Sequence, residues 1–177
     1  MRKHMTHEQV EYCYDIFKQV SEALENLDEY VARQPEFCLN QRTASLGMCY
    51  INPYQARIEI SEYNLDAQGL PHLATLVHEC IHGVLQCGVQ HGEPFKRASR
   101  ICSEIFGVPL SRLATEEEAK VFISKLPKPK YVIVWEDGDK QEYRRKAWIV
   151  KDLLANNCEN TYVLTDGTEQ RARLVVR

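Results

Sequence analysis

The chain has 177 residues, 44% of them hydrophobic and 27% charged, with a formal net charge of −3. That is the composition of a globular protein with one full core and room for a small appendage. It excludes a bilayer-spanning segment, for no apolar run approaches the required length.

Met1 to Met5 are followed by a polar amphipathic stretch and not by an apolar export core, so the expected location is intracellular, in the cytoplasm, with no membrane partner. The seven cysteines are odd in number, irregularly spaced and contain no CxxC pair, which argues against a disulfide framework. Cys13, Cys80 and Cys102 fall at apolar helix positions and read as buried reduced thiols.

Thr6-His7-Glu8-Gln9 reads as a capping box that opens a helix running to about Ala32. Val10, Cys13, Phe17, Val20, Leu24, Leu27 and Val31 form its apolar seam, suited to packing across a sheet and less commonly used for dimerisation. Residues 44–51 and 56–62 are predicted strands separated by the turn signal Asn52-Pro53. Arg57-Ile58-Glu59-Ile60-Ser61 alternates as a half-buried strand does.

The next element carries the chemistry. A helix is predicted over 71–88, opened by Pro71 and stopped at Gly88. Leu73, Leu76, Val77, Cys80, Ile81, Val84 and Leu85 make its apolar stripe, with His78 and His82 on the border of that stripe. Histidines four apart project from nearly the same side of a helix, so both imidazoles can reach one metal ion. Glu79 lies about 100° around from His78, placed to handle a proton of an attacking water. A core helix with two incidental surface histidines is the bland alternative.

A catalytic zinc usually takes three protein ligands. His91, just past Gly88, and Glu104, on the following helix, are both candidates for the third. The metzincin pattern is excluded, since Gly83 follows His82 directly and His91 is too far along. The following helix is predicted from Glu93-Pro94 to near Gly107, burying Phe95, Ala98, Ile101, Cys102 and Ile105. Thr115-Glu116-Glu117-Glu118 reads as a further capping box for a helix to about Lys125.

Leu126-Pro127-Lys128-Pro129-Lys130 reads as a stiff linker. Beyond it, Asp137-Gly138 and Asp166-Gly167 are two hairpin signals in a β-rich module, with a short helix around 147–155. Trp135, Tyr143, Trp148 and Tyr162 are its expected core aromatics, with a stacking surface for single-stranded nucleic acid as the alternative. Residues 1–124 hold 11 Lys and Arg against 17 Asp and Glu, and residues 125–177 hold 11 against 8. Arg144-Arg145-Lys146 is the densest basic cluster and could meet nucleic acid, but a solvated face is the better explanation of so small an excess.

His78-Glu79-x-x-His82, then Gly88, then His91-Gly92-x-x-Phe95, resembles the SprT-like (Spartan-type) zinc metalloprotease family, as do Leu46-Gly47 and Ile58-Glu59-Ile60-Ser61 upstream. The resemblance covers about residues 5–125. It implies an α+β zincin-like domain over residues 1–125, with Zn2+ held by His78, His82 and His91 and Glu79 as general base. It also implies an intracellular protease of protein or peptide substrates, in some members of proteins crosslinked to DNA. Residues 130–177 then stand where many relatives have a zinc ribbon. With Cys158 alone nearby, they can hold no Cys-rich zinc site and read as a metal-free derivative. The competing readings are a DNA- or protein-binding module with a structural or vestigial zinc site, and hydrolysis of a non-peptide amide. The sequence does not set the oligomeric state.

Overall fold

The computed structural model describes residues 2–110, 116–143 and 147–176, which divide into two units, Met1–Leu126 and Pro127–Arg177. The predicted cap at Thr115 and the basic cluster Arg144-Arg145-Lys146 lie outside the described residues. Both units mix helix and sheet, so the fold is α+β.

In the first unit, α1 (His7–Leu24) opens with the expected capping box: Thr6 Oγ1 accepts from the Gln9 N–H and the Gln9 side chain accepts from the Thr6 N–H. Cys13, Ile16, Phe17, Val20 and Leu24 are buried, so the seam is spent on the core. The helix stops at Leu24 and not near Ala32. A turn at Leu27 and Tyr30 follows, and it frees residues 29–33 to lie beside another segment.

Four strands, β1 (Arg2–Lys3), β2 (Gln34–Asn40), β3 (Gly47–Ile51) and β4 (Gln55–Ser61), form a sheet of order β1-β2-β4-β3. β2 runs parallel to β4, and β3 runs antiparallel to it along the sheet's edge. β2 was not predicted, because Gln34, Pro35 and Glu36 dilute its apolar signal. β3 starts three residues later than expected. Between β3 and β4, Asn52 Oδ1 accepts from the Tyr54 and Gln55 amides, which is why Asn-Pro turns the chain here. Ala56, Ile58 and Ile60 of β4 are fully buried on the face that joins the helical core.

Helix α2 (Leu73–Val84) lies on that core. A Cβ at Gly83 would stand 3.0 Å from Phe17 Cε2 and 3.2 Å from the Ala56 Cβ, so glycine lets α2 approach α1 and β4 closely. The helix ends four residues before Gly88. Its last carbonyl is claimed from outside by the Val31 N–H, which donates to Val84, while just beyond the helix the Gln86 N–H donates to the Glu29 carbonyl. Buried Arg33 donates to the carbonyls of Gly83 at 2.9 Å, Leu85 at 2.7 Å and Asn52 at 2.7 Å. A guanidinium at a helix C-terminus both satisfies orphan carbonyls and complements the helix dipole.

α3 (Glu93–Phe106) starts with Pro94 in its first turn and ends at Gly107, whose φ of 64° is the left-handed conformation glycine adopts most readily. Phe95, Ala98 and Cys102 are buried as predicted, but Ile105 is 54% exposed, and Ser99 is buried in the same turn of helix as Ala98. α4 (Glu116–Lys125) follows.

The second unit holds β5 (Tyr131–Trp135), β6 (Lys140–Tyr143), α5 (Trp148–Ala155), β7 (Glu159–Val163) and β8 (Glu169–Val176), its strands in the all-antiparallel order β6-β5-β8-β7. Gly138 and Gly167, with φ of 90° and 84°, close the two Asp-Gly hairpins. Ile133, Val150 and Leu153 are its most buried residues, with Trp135, Tyr143 and Tyr162 packed partly against them. Trp148 is 71% exposed, contrary to its predicted core role, because Ile149, Val150 and Leu153 supply the buried face of α5. Among the described residues no helix is long and apolar enough to cross a membrane.

Arg33→Met keeps an apolar stem and removes the donors, leaving buried carbonyls unsatisfied. A loss of about 2–4 kcal/mol is expected, read as a lower urea midpoint; a negligible shift would assign the end of α2 to backbone pairing alone.

Candidate metal centre

His78 and His82 are one turn apart on α2, and His91 reaches them from the chain that leaves the helix. That return starts with the early end of α2 and passes through Gly88 (φ 90°) and Gln90 (φ 46°) before α3 begins at Glu93. The Nε2 atom of His91 stands 3.1 Å from that of His78 and 3.2 Å from that of His82. Ligand nitrogens from all three rings lie within 4.8 Å of one another, a grouping able to hold a metal ion. Nitrogens bound at 2.0–2.1 Å to a tetrahedral ion stand about 3.3 Å apart, so the spacing fits zinc. Glu104 is exposed on α3 and is not part of this grouping.

Phe95 packs against all three imidazoles, stacking on His82 with ring centroids 4.4 Å apart and meeting His78 and His91 at 4.9 and 4.8 Å. One buried aromatic thus fixes three ring orientations, which is the use made of the phenylalanine four residues after His91. Burial, reinforced by His78 and His91, lowers the His82 pKa to about 3. His82 is therefore neutral through the physiological range, the form in which imidazole coordinates a metal.

Glu79 is buried, and burial pushes its carboxyl up from 4.5 to about 8, against the lowering effect of a hydrogen bond from the Cys49 backbone. Its position is set by β3. A Cβ at Gly47 would stand 2.8 Å from Glu79 Cγ and 3.1 Å from its Oε1, so only glycine leaves the carboxyl room. Neither contact was evident from the sequence, although a glycine inside a predicted strand is a recognised sign of close approach. Cys49 is half-buried, and its thiol is pushed up to about 12 by burial and then by Glu79, which makes it a filler and not a nucleophile. Of the seven free cysteines, Cys87 is exposed on the segment between α2 and His91, with its sulfur 3.7 Å from the Arg33 guanidinium.

β3 pairs only with β4 among the described residues, leaving its other edge open beside α2. The Ser61 N–H donates to the Leu46 carbonyl. Alternation of antiparallel pairing therefore turns the backbone groups of Gly47 and Cys49 away from β4.

A family model described as SprT-like family matches residues 14–114, more than half of the chain. No curated protein and no solved structure matches significantly.

The raised Glu79 carboxyl has a consequence for the metal-free chain. The unfolded carboxyl ionises near 4.5 and the folded one near 8, so its cost to stability is absent below pH 4.5 and complete above about pH 8. In chelator-treated protein, Glu79→Gln is expected to raise the melting temperature at pH 8–9, with the gain vanishing towards pH 4.5. A gain independent of pH would mean that the carboxyl is not held neutral.

Proposed function

The chain belongs to the SprT-like family of metalloprotease-like domains, and on that premise we propose that it is a zinc-dependent endopeptidase. The convergence of three imidazoles beside a buried carboxyl carries this reading. His78, His82 and His91 hold the ion; their number leaves a coordination position open to reactants. Zinc there would supply Lewis acidity, making water nucleophilic at neutral pH and polarising the scissile carbonyl.

Glu79 takes the proton from the attacking water and passes it to the leaving amine. A proton acceptor for this step needs a pKa near the working pH, and burial raises Glu79 in that direction; the positive charge of an ion moves it back down. The edge of β3 away from β4 receives the peptide as an added strand, through the outward backbone groups of Gly47 and the Cys49 carbonyl, the Cys49 N–H being given to Glu79. Main-chain hydrogen bonding gives affinity with little sequence demand.

Residues 1–125 carry the hydrolase, and 130–177 form a separate module that contributes binding. With Lys125 and Lys128 of the preceding segment, residues 125–177 hold 11 Lys and Arg against 8 Asp and Glu, an excess that suits contact with DNA, and so substrates that are bound or crosslinked to DNA. The reading of the site as purely structural is weaker, because a structural ion needs no buried carboxyl next to its ligands.

The test is cleavage of an unfolded protein by zinc-loaded chain, with and without DNA. Glu79→Gln should keep full zinc and lose turnover by about a hundredfold or more. His82→Ala and His91→Ala should lose both zinc and turnover, and Glu104→Ala neither. Zinc loss on Glu104→Ala with retention on His91→Ala would overturn the ligand set. Full occupancy without cleavage would favour the binding module.

Gly47→Ala probes Glu79 without touching it. The added methyl displaces the carboxyl, so zinc content should hold while turnover falls by about tenfold or more. Unchanged activity would remove Gly47 from the site.

A further inference from the structure

Met48 and Tyr50 alternate with Gly47 and Cys49 along β3, so their side chains lie on the face of the sheet turned away from α2 and Glu79. On that face, at the edge strand, Tyr50 is 36% exposed. Its ring is held in two places. The Arg57 guanidinium of β4 stands over it, 4.7 Å from the ring centroid, and Arg42 Nη2 donates to its hydroxyl.

Both guanidiniums are fixed by one buried carboxylate. Glu59 is 3% exposed and lies 3.3 Å from Arg57 Nε and 3.8 Å from Arg42 Nη2, and the Asn40 amide donates to it at 3.3 Å. Arg42 is tied down through its backbone as well. Its N–H donates to Asn40 Oδ1 at 2.9 Å, and its carbonyl accepts from the Ser61 hydroxyl at 2.7 Å. Burying a carboxylate costs stability unless it is paired, and what this paired network holds still is the aromatic ring of β3.

The pairing pattern fixes what that ring can reach. The Ser61 N–H donates to the Leu46 carbonyl, so by alternation the backbone groups of Tyr50 turn to β4. In a strand added antiparallel along the other edge of β3, the residue opposite Tyr50 therefore occupies a non-hydrogen-bonded pair. The Cα atoms of such a pair stand about 4.5 Å apart and its side chains meet closely.

We propose that Tyr50 selects one residue of the substrate, and that the residue preferred is aromatic. Phe or Tyr opposite it forms a cross-strand aromatic pair with a ring already immobilised, so Tyr50 loses little freedom on binding. An acidic residue gains less, since Glu59 already balances the guanidiniums beside the ring. The preference deepens the peptidase reading and rests on it for the arrival of a peptide along β3.

Binding can be read without turnover in zinc-loaded Glu79→Gln protein, by fluorescence anisotropy of labelled peptides identical except for one central Phe, Leu, Glu or Ala. Phe should bind about fivefold tighter than Ala, and tighter than Leu or Glu. Tyr50→Thr keeps strand propensity and removes the ring, so it should bring the Phe peptide to the level of the Ala peptide with zinc content unchanged. Tyr50→Phe keeps the ring and should keep the preference.

Equal binding of all four peptides, no binding at all, Leu or Glu bound as tightly as Phe, or a Phe preference that survives Tyr50→Thr or is lost in Tyr50→Phe would overturn the proposal. Cleavage by wild-type protein is scored separately. A Phe preference erased by Tyr50→Thr, without cleavage of any peptide, would leave Tyr50 as a binding residue and remove the peptidase reading. Cleavage indifferent to the varied residue would do the reverse.

Discussion

Ending α2 at Val84 is the constraint on which the site depends. A helix supplies two imidazoles to one point without effort, but a third must come from chain that has left the helix and turned back. Helix ends leave carbonyls without partners, and here residues 31–33 supply them through the Val31 N–H and the Arg33 guanidinium. The turn after α1 exists to deliver that segment, and β2 begins directly after Arg33. The first helix, the first long strand and the metal loop are therefore tied together at one helix terminus.

The second dependence runs through the sheet edge. Glu79 points towards β3, where Gly47 leaves it space and Cys49 donates a hydrogen bond to it. The same strand forms the edge of the sheet, paired only with β4 among the described residues. Under the proposed function, the proton acceptor and the peptide-binding edge are built on adjoining residues, so small shifts of β3 act on both. Burial makes the arrangement costly in the absence of an ion, since the carboxyl prefers to remain neutral. A cation nearby reverses that preference, which couples occupancy of the histidines to the charge state of Glu79.

Phe95 joins the two ends of the site. It orients all three histidine rings on one side and lines a cavity beside α3 on the other. The second unit follows a different logic, closing a small antiparallel sheet over aliphatic side chains of α5 and placing Trp148 outside.

By itself the sequence determined what depends on local periodicity and turn chemistry. The helical spacing of His78 and His82, the capping box at Thr6, the Pro94 start and Gly107 stop of α3, and the Asp-Gly hairpins are all set by residues within a few positions of one another. Contacts across long sequence separations were decided only by the tertiary structure. They comprise the early end of α2, the strand around Pro35, the Arg33 cap 50 residues from Gly83, and the choice between His91 and Glu104 as neighbour of the other histidines. Gly47 shows the boundary clearly: its type hints at a close approach, but that the approaching group is the Glu79 carboxyl follows only once β3 and α2 are packed together.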